Sequence, residues 1–264
     1  MTGSGTEPLK PGLGKPGVGE IHLWCLPACA ELRAEFLSGG SEVLSAEERG
    51  RHAAITHPGA AGRFLAGRIL ARRVLGRYLS QTPETIPLFV DAAGKPSLGD
   101  GVRSRPAFSL SHAGEETVLA VAGEGDIGVD IEAHSRAPAA LRIAGEFYSP
   151  AECQFLDRQH GDAADCALTL WTLKESIVKA RGHTVWDGLS GVSLSIDGAD
   201  IVWELPPLEG NHWRLAAGTF RESYKLAIAQ TLAGPNAVLP SIIAYETLAT
   251  GESEGMRFEP AFRS

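Results

Sequence analysis

The sequence predicts an α+β fold built from two similar halves, and three features support this prediction. Apolar residues recur at helical spacing over 63–79 and again over 167–181, which predicts one long helix in each half. A Ser-x-x-Glu capping box begins at Ser45 and another at Ser149, upstream of the two long helices. Alternating apolar and polar residues follow both helices and predict strands. The repeated order of elements predicts a duplicated unit, with a site where the halves meet.

Composition and pattern divide the chain into four segments. Residues 1–19 are rich in glycine and proline and are expected to form a flexible leader, and residues 250–264 are expected to form a loose, polar tail. Residues 20–126 make the N-terminal half and residues 127–249 the C-terminal half. Because we find neither a signal peptide nor an apolar stretch of membrane-spanning length, we expect a cytoplasmic protein without a membrane partner.

Composition also argues against some kinds of partner and cofactor. The 264 residues carry a formal net charge of −8, whereas nucleic-acid-binding proteins usually present a basic surface. We therefore expect no nucleic-acid partner. The four cysteines form no Cys-x-x-Cys pair and show no zinc-type spacing, so we expect free thiols in a reducing compartment.

Acidic and aliphatic residues alternate over residues 128–132. In a strand, Asp130 and Glu132 would share one face, and Val129 and Ile131 would anchor the other face in a core. Two neighbouring carboxylates repel each other unless a cation lies between them, and oxygen ligands suit Mg²⁺ or Mn²⁺. Taken alone, however, the segment is more typical of an ordinary half-exposed strand with solvated acids.

Several other residues are candidates for binding anions or for catalysis. Arg63 is expected at the start of the first long helix, where unpaired N–H groups and the helix dipole attract anions. Lys95 is expected on a rigid turn, and His112 at the end of a strand. Glu175 and Lys179 share a face of the second long helix. For each of these residues, the alternative is an ordinary solvated or structural side chain. We expect the remaining arginines of the first helix to face solvent.

Four segments, taken in order, resemble the motifs of the Sfp-type phosphopantetheinyl transferases. These segments are Gly94-Lys95-Pro96, Phe108-Ser109-Leu110-Ser111-His112, Gly128-Val129-Asp130-Ile131-Glu132 and Trp171-Thr172-Leu173-Lys174-Glu175-Ser176-Ile177-Val178-Lys179-Ala180. Residues 147–152, with the sequence Phe-Tyr-Ser-Pro-x-Glu, also match. Each motif alone is weak, but their order and spacing over roughly residues 21–230 are highly specific.

The resemblance implies a pseudo-dimer of two α/β halves, each with a long helix packed on an antiparallel sheet. It implies that coenzyme A, as co-substrate, and magnesium bind between the halves. It further implies transfer of 4′-phosphopantetheine from coenzyme A to a serine of an apo acyl or peptidyl carrier protein, with release of 3′,5′-ADP. Such a holo-[carrier protein] synthase would serve fatty acid, polyketide or nonribosomal peptide biosynthesis. We expect it to be a monomer.

The resemblance assigns the metal and the chemistry to a small set of side chains. It implies that Asp130, Glu132 and Glu175 hold Mg²⁺, with Mn²⁺ as a substitute. It implies that Glu175 is also the general base toward the carrier serine, directly or through a water molecule. Lys179 and His112 would complete the catalytic set beside the phosphates. We also expect that removing one of the three carboxylates relieves repulsion and slightly stabilises the metal-free protein.

The resemblance assigns the coenzyme A contacts to basic and hydroxyl side chains. The set is Arg51, Arg63, Lys95, Ser111, His112, Lys174 and Lys179. Arg63 would hold the region of the 3′-phosphate, and Ser111 would add a hydroxyl contact. The direction of Lys174 is open. Glu48 stands where the family usually places a basic residue, so Arg51 is expected to take over that contact.

Two other functions are compatible with the sequence. One is a non-catalytic carrier-binding module of the same fold, although the presence of all three acids argues against a degenerate site. The other is a different metal-dependent phosphotransferase or pyrophosphate hydrolase that uses the same acids. For the leading function, we expect the carrier protein to dock on the apolar surface of residues 143–156.

Overall fold

The structure is a computed structural model, and it shows a mixed α+β fold. It describes residues 14–17, 19–90, 95–99, 105–182, 189, 192–197, 200–204, 211–233, 241–247, 253–257 and 262–263. Most of the expected leader, and Gly94 of the first motif, lie outside the described residues.

The helices alternate with strands in the order expected for two α+β units. The α-helices are α1 (Ala30–Leu37), α2 (Ala46–Ala54), α3 (Pro58–Leu79), α4 (Ala137–Arg142), α5 (Ala144–Phe147), α6 (Pro150–Asp157) and α7 (Ala163–Arg181). Short 3₁₀ helices occupy Gly40–Val43, Pro83–Thr85 and His134–Arg136. The strands are β1 (Glu20–Cys25), β2 (Leu88–Val90), β3 (Pro96–Leu98), β4 (Ala107–Ala113), β5 (Glu116–Ala122), β6 (Ile127–Ala133), β7 (Ser193–Asp197), β8 (Asp200–Glu204), β9 (Asn211–Phe220), β10 (Tyr224–Ala233), β11 (Ser241–Thr247), β12 (Ser253–Arg257) and β13 (Phe262–Arg263).

Two sheets form the centre of the molecule. The first has the strand order β12-β11-β1-β5-β4, and the second has the order β6-β10-β9-β13-β8-β7. Strands β2 and β3 form a separate hairpin. The expected antiparallel pairing holds for most strand pairs, but β1 pairs with β11 in parallel and β13 pairs with β8 in parallel.

The end of the chain differs from the expected loose tail. Residues 253–257 form β12 at the edge of the first sheet, and residues 262–263 form β13 inside the second sheet. Strand β11, within the expected C-terminal half, also returns to the first sheet. Strands β12 and β13 are short or polar, so the alternation of apolar and polar residues that predicts a strand is weak in both. Their conformation is decided by pairing with strands that are distant in the sequence.

Among the described residues, the helices and sheets stack in four layers around three apolar cores. Helix α3 covers the outer face of the first sheet, with Leu70 and Leu75 packed near Trp24 of β1. Helix α7 covers the outer face of the second sheet. Between the sheets lies a core to which both contribute, including Val118 of β5 and Val129 of β6. The predicted α+β fold, with a long helix on each sheet, is confirmed.

Helix α3 begins five residues earlier than the sequence predicted, at Pro58. The imidazole Nδ1 of His57 accepts the N–H of Ala60 at 3.3 Å, and proline occupies the first turn, where its missing N–H costs nothing. A histidine cap followed by glycines gives a weak start signal, which explains the error. Arg63 is therefore in the second turn, but its guanidinium lies back beside Gly59 in the first turn, because helical side chains point toward the N-terminus.

Helix α7 fits closely against β6 because Gly128 has no side chain. A Cβ atom at this position would clash with the carbonyl oxygen of Ser176 and would lie 2.6 Å from the nitrogen of Ala180. Leu173 and Ile177, which the helical spacing places on the inner face of α7, are fully buried. Gly182 then ends the helix in the left-handed conformation, with φ of 69°.

The two sheets meet at β4 and β6, which are edge strands of different sheets. The hydroxyl of Ser109 accepts the backbone N–H of Val129 at 3.1 Å, and the hydroxyl of Ser111 accepts the N–H of Ile131 at 3.3 Å. The two serines and the two N–H groups are each spaced two residues apart, so the serine hydroxyls replace the backbone hydrogen bonds that would otherwise pair β4 with β6. We call this row of contacts the serine seam. It fixes the register between the halves.

A buried ion pair fixes the rotation of α7. The ammonium of Lys174 lies 2.7 Å from Oε2 of Glu152, and both side chains are fully buried. Glu152 also accepts the backbone N–H groups of Ser149 at 2.6 Å and Leu194 at 2.9 Å, so both of its oxygens are satisfied. The capping box of α6 thus also ties α6, α7 and β7 together.

Breaking this buried pair should cost far more stability than breaking an exposed one. We expect Lys174→Met to lower the free energy of unfolding by about 3–5 kcal/mol, because the carboxylate of Glu152 loses its counter-charge in the core. The matched control is Asp165→Asn, which removes the partially exposed pair with Lys225 and should cost less than about 1 kcal/mol. Urea unfolding measures both values. Equal costs for the two variants would contradict this role of the pair.

Candidate active site

Two carboxylates project from β6 toward α7. Asp130 is 2% exposed and Glu132 is 8% exposed, whereas Val129 and Ile131 point into the core between the sheets. The alternation expected from the sequence is present, but the acids are buried rather than solvated. Buried carboxylates need partners, since an unpaired charge in the interior is costly.

Lys179 of α7 supplies the nearest positive charge. Its ammonium lies 2.6 Å from Oδ1 of Asp130 and 2.9 Å from the hydroxyl of Ser111. Oε2 of Glu175, one helical turn earlier, is 4.0 Å from the same ammonium. The guanidinium of Arg136 lies 3.4 Å from Oε2 of Glu132. Residues from β4, β6 and α7 therefore meet at one place, where the halves join.

The carboxylates of this site perturb one another. Burial, followed by the charge of Asp130, raises the pKa of Glu175 to about 8, and Glu132 adds to the effect. Burial and Asp130 also raise the pKa of Glu132. Burial would lower the pKa of Lys179, but the charges of Asp130 and Glu175 outweigh it and raise the pKa. Such mutual effects show that the acids share one poorly solvated space.

The residues of this space suit a hard divalent cation in their chemistry. Three carboxylates supply oxygen donors, and Oδ2 of Asp130 is buried with no hydrogen-bond partner among the described residues. In the described part of the chain, however, no three side chains are already arranged as a metal-binding group. Lys179 neutralises Asp130 instead. A cation bound by all three acids would therefore require some rearrangement of their side chains.

Two predicted phosphate ligands also lie near this place. The ammonium of Lys95 donates to the carbonyl of Lys179 at 2.6 Å, so the β2–β3 hairpin reaches the C-terminal turn of α7. Partial burial and the charges of Lys179 and Arg63 lower the pKa of His112, against the opposing effect of Asp130. His112 is thus within electrostatic reach of Asp130, Lys179 and Arg63.

Lys174 is not at this site, and its assignment as a coenzyme A ligand is corrected. Its ammonium points away from the acids toward Glu152 and also donates to the carbonyl of Phe147 at 3.2 Å. Sequence spacing could not decide this, because Lys174 and Glu175 are neighbours that lie about 100° apart around the helix. Only the distant partner at position 152 determines which way the lysine turns.

Glu48 and the arginines of α3 form a buried cluster that the sequence did not predict. Glu48 caps α2 through its contact with Ser45 and accepts Nε of Arg72 at 2.7 Å. Arg72 also donates to the carbonyls of Pro83 and Ile86, both at 3.0 Å, and is 1% exposed. The expectation of a solvated arginine there is wrong. The position of Arg72 among the apolar residues on one face of α3 was the feature of the sequence that could have predicted its burial.

Arg51 keeps an exposed position near this cluster. It lies on α2, and its charge contributes to the lowered pKa of Arg68, after the larger effect of burial. Because Glu48 is occupied inside the protein, it does not compete with a nucleotide at the surface. The assignment of Arg51 to coenzyme A stays a prediction.

Comparison with known proteins identifies the family of this chain. Residues 126–229, which include β6 and α7, match the family model described as the 4′-phosphopantetheinyl transferase superfamily. A 4′-phosphopantetheinyl transferase of Bacillus subtilis is 32% identical over 206 residues, which are 73% of this chain and 86% of that protein. The chain belongs to the 4′-phosphopantetheinyl transferase superfamily. The enzyme class predicted from the sequence is confirmed.

Two further members of the superfamily are similar to this chain. A Synechocystis sp. protein, provisionally named a 4′-phosphopantetheinyl transferase, is 30% identical over 215 residues, which are 79% of this chain and 86% of that protein. The 4′-phosphopantetheinyl transferase HetI of Nostoc sp. is 31% identical over 168 residues, covering 63% of this chain and 70% of HetI.

None of the helices in the described residues is both long and apolar enough to cross a membrane.

The raised pKa of Glu175 predicts a pH-dependent stability change. In the folded protein the Glu175 carboxyl keeps its proton up to about pH 8, whereas the ordinary pKa of a glutamate is 4.5. Below pH 4.5 this carboxyl is protonated in both the folded and the unfolded state, so it does not affect stability. Between pH 4.5 and 8 it increasingly destabilises the folded state, and above pH 8 the destabilisation is complete. We expect Glu175→Gln to raise the melting temperature of the metal-free protein at pH 8.5, by about 2–4 °C per kcal/mol recovered, with little change at pH 4.5.

Thermal melts in a chelator at both pH values provide the measurement, with Asp165→Asn as the control for losing a negative charge from the same helix. A melting temperature of Glu175→Gln that is lower at pH 8.5, or shifted equally at both pH values, would contradict the assignment. The sequence predicts that removing one of the three carboxylates stabilises the metal-free protein, but we do not expect this for Asp130. Removing that carboxylate would leave Lys179 without its closest partner.

Proposed function

We propose that this chain is an Sfp-type enzyme that transfers 4′-phosphopantetheine from coenzyme A to a serine of an apo acyl or peptidyl carrier protein, with Mg²⁺ as cofactor. The observation that carries the proposal is the meeting of Asp130, Glu132 and Glu175 beside Lys179, at the junction of two α+β halves within one chain. Membership of the superfamily supports the reaction class.

Asp130, Glu132 and Glu175 would hold the cation, Mg²⁺ or Mn²⁺. When bound, the cation would neutralise charge on the diphosphate and keep it oriented for in-line attack. The unpartnered Oδ2 of Asp130 supports its role as a ligand. For the other two acids, the support is that both keep a raised pKa in the metal-free site, which a nearby cation would reverse.

Coenzyme A would lie across the junction of the halves, held by its phosphates. Lys179 would contact the diphosphate, with Lys95 and His112 beside it and Arg63 and Arg51 toward the 3′-phosphate. The support is the proximity of Lys95 to the end of α7 and the electrostatic influence of Arg63 and Lys179 on His112. Arg63 also reaches the first turn of α3, where unpaired N–H groups favour a phosphate.

The chemical step moves one phosphoryl group from an oxygen of the diphosphate to the serine oxygen. The hydroxyl of the carrier serine attacks the phosphorus that bears the pantetheine, and the bond from that phosphorus to the bridging oxygen breaks. The carboxylate of Glu175 takes the serine proton, directly or through a water molecule, and 3′,5′-ADP leaves with the bridging oxygen. General-base transfer of this kind needs only a carboxylate within hydrogen-bond reach of the serine hydroxyl, or one water molecule away from it.

The remaining features of the proposal concern setting and partners. We propose a cytoplasmic monomer that activates carrier proteins of fatty acid, polyketide or nonribosomal peptide biosynthesis. The site is formed by two halves of a single chain, so it needs no second subunit. A carrier-binding module without activity is disfavoured, because all three acids and Lys179 are gathered at one place.

The direct test is mass spectrometry of apo carrier proteins incubated with the protein, coenzyme A and Mg²⁺. We expect the carrier to gain the mass of phosphopantetheine, and expect Glu175→Gln and Asp130→Asn to lower kcat by at least about 10²-fold, because charge neutralisation and proton transfer each supply factors of this size. Asp165→Asn, on the same helix but outside the site, should keep wild-type activity.

The alternative functions predict different products. Binding of the carrier without any mass gain, across several carrier types, would favour a non-catalytic module. Cleavage of coenzyme A at the same rate with and without carrier would favour a pyrophosphate hydrolase. Full activity of Glu175→Gln would remove that residue from the chemistry.

A pocket beside the acids is the proposed docking place for the carrier. Its volume is about 250 Å³, and Ile143, Leu168 and Trp171 give it an apolar lining, with Arg136 and Arg142 at the rim. Carrier proteins are usually acidic, and two arginines can attract an acidic partner to a chain of net charge −8. Of the surface expected from the sequence, residues 143–156, Ile143 alone is among the residues that line this pocket.

Charge reversal at the rim of this pocket should weaken carrier binding without impairing the chemistry. We expect Arg142→Glu to raise KM for the carrier roughly fivefold at low salt, because a surface ion pair is worth up to about 1 kcal/mol. The effect should shrink as salt is added, and kcat should stay unchanged. Arg158→Glu, an exposed arginine that does not line the pocket, is the control of equal charge. Equal KM values for both variants would reject this docking place.

A further inference from the structure

The hydroxyl of Ser111 is in direct contact with both a predicted metal ligand and the site lysine. We infer that Ser111 is a positioning residue that orients the carboxylate of Asp130 toward the cation. This inference rests on the proposed function, because it needs a metal ion at the three acids. It also changes the role expected from the sequence, in which the hydroxyl of Ser111 contacts coenzyme A.

The hydrogen bonds of Ser111 determine the direction of its proton. A serine hydroxyl has one donor and two acceptor positions. The backbone N–H of Ile131 donates to it at 3.3 Å, and the ammonium of Lys179 donates at 2.9 Å. Both donors leave the hydroxyl proton for Oδ1 of Asp130, which lies 2.8 Å away. All of the hydrogen-bonding capacity of this hydroxyl is therefore used inside the protein, and Ser111 is 5% exposed.

These contacts make the two oxygens of Asp130 unequal. Oδ1 accepts from both Ser111 and Lys179, whereas Oδ2 is buried and has no hydrogen-bond partner among the described residues. A buried oxygen without a donor is costly unless a cation occupies the space in front of it. Because Oδ1 is held at two points, Oδ2 is presented as a single, oriented ligand oxygen.

The serine seam separates this role from ordinary structural support. Ser109 occupies the equivalent place two residues earlier, where its hydroxyl accepts the N–H of Val129. Ser109 and Ser111 are about equally buried, at 4% and 5% exposure. Both therefore join β4 to β6, but Ser111 alone of the two has a hydrogen bond to an acid of the site in the described structure. A comparison of the two serines isolates the contacts of Ser111 with Asp130 and Lys179 from the structural support that both provide.

The test is direct Mn²⁺ binding to the full chain without coenzyme A, followed by electron paramagnetic resonance of the free ion. We expect Ser111→Ala to weaken Mn²⁺ binding about tenfold, because partners that orient a metal ligand are typically worth 10- to 100-fold in affinity. Ser109→Ala should bind Mn²⁺ like the wild type. Both variants should lower the melting temperature, since each leaves one buried N–H without its acceptor, and Ser111→Ala should lower it further because it also loses the contacts with Asp130 and Lys179.

The outcomes separate this inference from the proposed function. Equal Mn²⁺ affinity of the Ser111→Ala and Ser109→Ala variants would overturn the positioning role, and so would wild-type affinity of Ser111→Ala. If Ser111→Ala does not fold, Ser111→Cys decides, since a thiol of similar size donates and accepts hydrogen bonds weakly. Its affinity should also fall, and unchanged affinity would reject the role. Wild-type protein that binds Mn²⁺ but modifies no carrier would refute the proposed function while leaving the positioning role intact.

Discussion

The central constraint of this structure is the placement of three carboxylates in one poorly solvated space between β6 and α7. Like charges in such a space repel, so each must keep a proton, find a cationic partner or bind a metal. Lys179 neutralises Asp130 at 2.6 Å, and Glu175 responds with a pKa of about 8. The arrangement costs stability that an ordinary core would not. It therefore indicates a site selected for chemistry rather than for folding.

The rest of the fold holds this arrangement in place. Gly128 lets α7 approach β6, and the serine seam sets the register of β4 against β6. The buried pair of Lys174 and Glu152 fixes the rotation of α7 from a different face of the helix. Both halves of the chain are needed, because β4 belongs to the first sheet, whereas β6 and α7 belong to the second half.

Local pattern in the sequence predicted the parts of the molecule that depend on local periodicity. The alternation at residues 128–132 gave the faces of β6, and the helical spacing gave the inner face of α7. The pattern could not show contacts between distant residues. The direction of Lys174 and the burial of Arg72 depend on partners 22 and 24 residues away. The saturation of the Ser111 hydroxyl depends on three partners, which lie 19, 20 and 68 residues away. For the same reason, the return of β11 to the first sheet was not predicted, since strand pairing is a long-range choice.

The most direct test of the account is anomalous diffraction from crystals grown with Mn²⁺ and coenzyme A. We predict a single manganese peak within coordination distance of carboxylate oxygens of Asp130, Glu132 and Glu175. The ammonium of Lys179 should then lie beside a phosphate oxygen. A peak bound elsewhere, or a Glu175 carboxylate that stays out of the coordination sphere with coenzyme A present, would contradict the account.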